Sequence, residues 1–344
     1  MVHGGDIYRN CISLDYSVNI NPLGIPASVE AALREAVSLC SRYPDIRQEK
    51  LKAAIAEMDK VSADEILCGN GASELFPAIL HALKPKKILI PVPSFYGYEW
   101  AAGTEACEVS YFPLREQDNF VLGEDFIEAL DKETELIYLA NPNNPTGILV
   151  EQELLLRILE RAESRSILLV LDECFLDFTG QEERSLIQKT TEYKHLFILK
   201  SFTKMYAMPG IRLGYGVCGE GALLRKMEAA GQCWGVSVLA SEAGIAALGE
   251  GEYKEKAITL VREERAYLKK EMEILGMTVW DGQADYLFFR TDGIRDLYDR
   301  LLPEGIMIRR CSNYRGLDET CYRVAVKDHE ANGRLIEALK KTAR

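Results

Sequence analysis

The chain has 344 residues, 47% hydrophobic and 27% charged, enough to bury a large core and to divide into two domains. A formal net charge of −12 and a pI near 5.1 argue against nucleic acid or an anionic membrane as partner, and any small anionic ligand must be bound by local arginines against the global field. Nine cysteines in no C-x-x-C or Cys/His metal spacing, no apolar stretch of spanning length and no signal-like start predict a cytoplasmic protein with reduced thiols and no metal site.

The chain opens with His3-Gly4-Gly5, Asp15-Tyr16-Ser17-Val18-Asn19-Ile20-Asn21-Pro22-Leu23-Gly24 and then Arg42-Tyr43-Pro44-Asp45. Next comes the glycine-rich Cys68-Gly69-Asn70-Gly71-Ala72-Ser73-Glu74, running into a helical stretch over 75–83. Glycines before a helix N-terminus let backbone N–H groups approach a phosphate, and the helix dipole favours its charge. The pattern is neither G-x-G-x-x-G nor a Walker loop, which disfavours dinucleotide and nucleoside-triphosphate sites. A strand over 87–92 leads to Pro93-Ser94-Phe95, and a helix is predicted over 124–130. The apolar run 135–140 ends in Asn141-Pro142-Asn143-Asn144-Pro145-Thr146-Gly147, whose two Asn-Pro steps and glycine force an ordered loop.

After a helix over 154–163, the apolar run 166–171 reads as a buried parallel strand that delivers Asp172 at its C-terminal end, where open α/β sheets bind ligands. A cap for the following segment is the alternative role for Asp172. A further run at 196–199 leads to Ser201-Phe202-Thr203-Lys204, with Arg212 eight residues on and another run at 213–217. A lysine at a strand end beside hydroxyls and an arginine is either a solvated surface residue or suited to a Schiff base with pyridoxal phosphate. In the second case Ser201, Thr203 and Arg212 reach the cofactor's phosphate, and Asp172 keeps its pyridine nitrogen protonated.

Strands alternating with helices from Ser28 to about Gly249 predict an α/β unit, a mostly parallel sheet with helices on both faces, over 28–249. The remainder predicts a long charged helix over 253–275, a strand over 286–289, a short helix over 294–302, strands around Met307 and Val324, and a terminal helix from about His329. With the N-terminal arm these make a smaller α+β domain of residues 1–27 and 250–344.

In order and spacing, the glycine turn, Phe95, Asn144, Asp172, Lys204, Arg212 and Arg323 resemble the fold-type I pyridoxal-phosphate enzymes, the aspartate aminotransferase superfamily. The resemblance implies that Phe95 stacks on the pyridine ring and Asn144 hydrogen-bonds its phenolate oxygen. It further implies that Asp172 pairs with the ring nitrogen, Lys204 forms the Schiff base, and Gly71, Ala72 and Ser73 hold the phosphate. Tyr43 is then either a residue reaching the cofactor phosphate of a neighbouring subunit in a homodimer or a core tyrosine of its turn.

Fold alone does not decide the reaction. His3-Gly4-Gly5, the arm through Asn21, and Arg309-Arg310-Cys311-Ser312-Asn313-Tyr314-Arg315-Gly316-Leu317 are similar to threonine-phosphate decarboxylases of cobalamin biosynthesis. Phe175, where many aminotransferases carry a tyrosine that donates to the phenolate oxygen, agrees with them, whereas Arg310 departs from their usual acidic or polar residue. The resemblance implies a phosphorylated amino-acid substrate contacted by His3, Gly4, Asn21, Arg309 and Arg323. Histidinol-phosphate aminotransferase, which shares Arg42-Tyr43-Pro44-Asp45 and the cofactor motifs, is the alternative enzyme. A non-catalytic regulator of the same fold is the alternative of another class.

Overall fold

Seven strands lie side by side in the computed structural model, which describes residues 4–342. After the short β1 (Leu14–Asp15), the chain forms β2 (Ile66–Gly69), β3 (Lys87–Val92), β4 (Glu108–Pro113) and β5 (Leu136–Ala140). β6 (Leu168–Asp172), β7 (Leu196–Ser201) and β8 (Gly214–Val217) follow, and the spatial order is β2-β8-β7-β6-β5-β3-β4. Neighbours from β7 to β4 pair in parallel, while β8 runs antiparallel to both β7 and β2. The mostly parallel sheet read from the sequence is therefore present, with one reversed strand.

The central strands are continuous apolar runs because both of their faces are covered. Ile137 and Leu139 of β5, with Leu169 and Leu171 of β6, pack into one core cluster. Their neighbours Leu136, Tyr138, Leu168 and Val170 pack into a second, on the other face. Each such fully buried side chain contributes about 1.5–3 kcal/mol. The edge strand β4, Glu-Val-Ser-Tyr-Phe-Pro, is half exposed and carries no apolar run, so the sequence pattern passes over it.

Beyond this sheet come β9 (Thr278–Val279), β10 (Tyr286–Arg290), β11 (Ile306–Met307), β12 (Arg309–Arg310) and β13 (Cys321–Ala325). They form the antiparallel sheet β12-β13-β10-β9 and the parallel pair β1-β11. The predicted long helix is observed as Gly251–Ile274, with Ala257, Val261, Leu268 and Met272 buried along one stripe. The predicted terminal helix is His329–Thr342. No helix among the described residues is long and apolar enough to cross a membrane.

Candidate active site

At the C-terminal ends of the parallel strands lies a cavity of about 350 Å³. Ser201, the last residue of β7, accepts the Thr203 N–H at 3.2 Å and so caps the short helix Phe202–Met205, which presents Lys204 to the cavity. The Lys204 Nζ stands 5.7 Å from the centroid of the Phe175 ring. Burial lowers its pKa; Asp285 opposes the shift, whereas Arg323 and Arg212 push the same way. A neutral amine is the form that attacks a carbonyl. Asp285 itself is fully buried just before β10, and neither of its carboxyl oxygens is hydrogen-bonded. Burial pushes that carboxyl up to about 7, despite Lys204 and Arg323.

Asp172 ends β6 with its carboxylate held from two sides. Oδ2 accepts the Tyr98 hydroxyl at 2.6 Å, and Oδ1 accepts the Cys174 N–H at 3.0 Å. Tyr98 is fixed in turn by stacking on Tyr138, with centroids 5.0 Å apart and planes within 3°. Its phenol is pushed well above the usual tyrosine range by burial first and by Asp172 second, so it stays a donor. Phe95 and Phe175 supply aromatic walls of the cavity.

Ala72 and Ser73 begin the helix Ala72–Leu83, and with Ser201, Thr203 and Arg212 they line one end of the cavity. Arg212 donates from Nη2 to Ser73 Oγ at 3.1 Å and from Nη1 to the Pro209 carbonyl at 3.2 Å. Gly71 has φ +80°, and a Cβ there would lie 2.4 Å from Arg212 Nη2. It stands behind the wall and makes room for the guanidinium. Backbone N–H groups, the hydroxyls of Ser73, Ser201 and Thr203 and an arginine at a helix N-terminus form an anion cradle.

Arg309 and Arg323, 3% and 6% exposed, also line the cavity. The antiparallel register sets them directly opposite one another, so both side chains leave the same face of the sheet. Arg323 donates from Nη1 to Asn144 Oδ1 and from Nη2 to the Ser17 carbonyl at 3.2 Å, and its buried Nε has no partner. Arg309 donates to Asn313 Oδ1 at 2.9 Å and lies 5.2 Å from the Tyr314 ring centroid. Asn144 Oδ1 is also 3.4 Å from the Tyr314 hydroxyl, which leaves the amide N–H groups as what Asn144 can offer a ligand. Arg310, one residue out of phase, points away, over the Tyr298 ring and onto Asp299. Its departure from the decarboxylase pattern therefore does not touch the cavity.

Gly4 lines the cavity, whereas His3 lies outside the described residues. The expectation for Asn21 is corrected. Asn21 does not line the cavity; its Oδ1 accepts the Leu23 N–H at 3.0 Å in a local turn, and its Nδ2 donates to the Met205 carbonyl at 2.7 Å, which ties the arm to the helix Phe202–Met205. Asn19 lines the cavity instead, with a buried Oδ1 that has no partner. Tyr43 is 81% exposed, packs on Trp234 with centroids 5.0 Å apart, and is remote from this chain's own cavity. It is not the core tyrosine of the alternative reading. Tyr98 and Cys174 are not among the residues read from the sequence, although the Phe95-Tyr96-Gly97-Tyr98 run offers one signal, a phenol one short turn beyond the predicted ring-stacking residue; Tyr314 is there only as part of the Arg309-to-Leu317 motif.

The donor set suits pyridoxal phosphate: the cradle for its phosphate, the Asn144 amide for its phenolate oxygen, the braced Asp172 for its ring nitrogen and Lys204 for its aldehyde. The family model of aminotransferase class I and II matches residues 12–339. A threonine-phosphate decarboxylase of Salmonella typhimurium is 39% identical over 98% of this chain and 95% of its own. The histidinol-phosphate aminotransferase of Clostridium acetobutylicum superposes with a TM-score of 0.90 at 35% identity, over 96% of this chain and 99% of its own. The L-threonine-O-3-phosphate decarboxylase of Porphyromonas gingivalis superposes with a TM-score of 0.85 at 27% identity, over 95% and 98%. The chain belongs to the class I and II aminotransferase family, with the fold-type I architecture and pyridoxal phosphate as cofactor.

Proposed function

We propose that the chain is a carboxy-lyase that converts L-threonine O-3-phosphate to aminopropanol phosphate and CO2. The observation that carries this reading is the cross-strand pair Arg309 and Arg323, two buried arginines opposite one another in the sheet register and both lining the cavity. Two forks suit a substrate with two anionic groups, phosphate and carboxylate. Histidinol phosphate has only one, whereas the 2-oxoglutarate of the aminotransferase reaction has two, so the pair favours the decarboxylase only for the first substrate. The 39% identity with a threonine-phosphate decarboxylase supports the same choice.

The cofactor supplies an electron sink for the bond that breaks at Cα. Asp172, braced by Tyr98 and the Cys174 N–H, presents its carboxylate to the ring nitrogen. Phe95 and Phe175 would wall the ring, and the cradle around Ser73 and Arg212 would hold the phosphate. Arg309 and Arg323 hold the substrate's anionic groups so that the Cα–carboxylate bond, not Cα–H, stands across the ring. Lys204, whose pKa burial lowers, is the group that would hold the cofactor's aldehyde, and in its protonated form it would supply the proton that takes the place of the departing carboxylate at Cα. The chain acts as a homodimer in which Tyr43, exposed here, reaches the cofactor phosphate of the partner subunit.

The deciding experiment incubates the holoenzyme with phosphothreonine and no oxo-acid. CO2 and aminopropanol phosphate should form in equal amounts, with pyridoxal phosphate remaining on the enzyme, and Lys204→Ala should form neither. If turnover instead requires histidinol phosphate and 2-oxoglutarate, and no CO2 is released, the chain is the aminotransferase.

A further inference from the structure

The segment between β12 and β13 hangs from the two strands that carry Arg309 and Arg323. Its consecutive residues Tyr314 and Arg315 go in opposite directions. Tyr314 lines the cavity beside Arg309 and Asn144. Arg315 does not line the cavity; its Nη2 donates to Glu99 Oε1 at 2.7 Å and to the Tyr111 hydroxyl oxygen of β4 at 3.2 Å. Its guanidinium lies 3.9 Å from the centroid of the Tyr111 ring, and the Tyr111 hydroxyl donates to the same Glu99 oxygen at 2.7 Å. Glu99 belongs to the helix Gly97–Ala102, which also carries Tyr98, the brace of Asp172.

We propose that Arg315 is a positioning residue: latched onto Glu99 and Tyr111, it holds Tyr314 in the cavity and through it the Arg309 guanidinium in its anion-binding pose. The inference rests on the reading of Arg309 as an anion fork. An exposed ion pair alone contributes little. Here the charge is also stacked on a ring and shared among three groups that bridge β4, the helix Gly97–Ala102 and the Cys311–Cys321 segment, so opening it frees the segment. Arg309 then loses its stacking partner and, with Asn313 displaced, the acceptor of its Nη2, and keeps only the Nη1 bond to the Arg310 carbonyl at 2.6 Å.

The test titrates inorganic phosphate into the holoenzyme by calorimetry and follows hydrogen exchange over residues 312–320. Arg315→Ala should weaken phosphate roughly tenfold and speed exchange in that segment alone. Under turnover it should raise KM with kcat little changed. Arg315→Lys, which keeps the charge but loses the planar stacking, should fall between. Arg157→Ala, which breaks an ion pair of similar exposure with Glu124, should match the parent. Unchanged phosphate affinity and exchange in Arg315→Ala overturn the latch. So does faster exchange over the whole chain with kcat falling as KM rises, the signature of a general stability defect. Arg309→Ala separates the two readings: if it leaves phosphate binding unchanged, the fork itself is wrong and the latch falls with it. If Arg309→Ala weakens phosphate and Arg315→Ala does not, only the latch is lost.

Discussion

Asp172 has two partners besides any ligand, and that decides how its environment responds to substitution. Tyr98→Phe keeps the stack on Tyr138 but removes the hydroxyl at Oδ2. A hydrogen bond to a charged acceptor is worth about 1.5–3 kcal/mol, so kcat should fall roughly tenfold to a hundredfold with little loss of cofactor. An unchanged kcat would show that the Cys174 N–H suffices. Asp285 responds differently, because nothing hydrogen-bonds it. Its carboxyl titrates near 7 when folded against an ordinary 3.8, so the folded chain holds the proton more tightly than the unfolded one. That contribution to stability is fully present below about pH 4 and is lost as the pH rises through 7. Asp285→Asn should therefore stabilise the chain at about pH 8, on the order of a few kcal/mol, and hardly at all at about pH 4. Urea unfolding at the two pH values checks this, and an equal effect at both would place the carboxyl's titration elsewhere.

Among the elements, the reversed strand β8 joins the two halves of the anion cradle. Gly214 pairs with Gly69 on one side and with Ser201 on the other. A Cβ at Gly214 would lie 2.3 Å from the Ala72 nitrogen, where no side chain fits without moving the helix N-terminus. Gly214→Ala should cost about 1–3 kcal/mol of stability and weaken the cofactor by a larger factor than any loss in substrate affinity, as cofactor titration and thermal melting would show. If the cofactor binds as before, the helix N-terminus does not hold its phosphate. The sequence made the central strands and their terminal residues readable because runs such as Leu168–Asp172 are apolar on both faces and end in a polar group. It made β4 and the direction of β8 unreadable, since an edge strand need not be apolar and direction is set by the connecting segment. Asn19 and Asn21 show the same limit at closer range. Both are asparagines in one arm, and only the turn at Pro22–Gly24, which engages Asn21, separates their roles.

On the scale of the whole molecule, the exposed aromatic pair Tyr43 and Trp234 does not line the cavity of its own chain. If a second copy covers it and receives Tyr43 at its cradle, Tyr43→Phe should leave the sedimentation of a dimer intact while weakening the cofactor about tenfold, the effect of one lost hydrogen bond to a charged group. A monomer at working concentration, or an unaltered cofactor affinity, would return Tyr43 to an ordinary surface role. The net charge of −12 makes the buried position of the arginine pair consequential. Salt screens the repulsive field over about 8 Å at physiological strength but reaches buried forks far less, so substrate capture is governed by the cavity and not by the surface.

On the proposed function, Asn144 would belong to two binding events at once. Its Oδ1 receives Arg323, while its amide N–H groups are what it can give the cofactor. An anion that draws Arg323 toward itself alters the same amide that would face the phenolate oxygen. Thermodynamic reciprocity then applies: whatever factor inorganic phosphate imposes on cofactor affinity, the cofactor must impose on phosphate affinity. A single side-chain amide thus makes the filling of either subsite measurable as a change at the other.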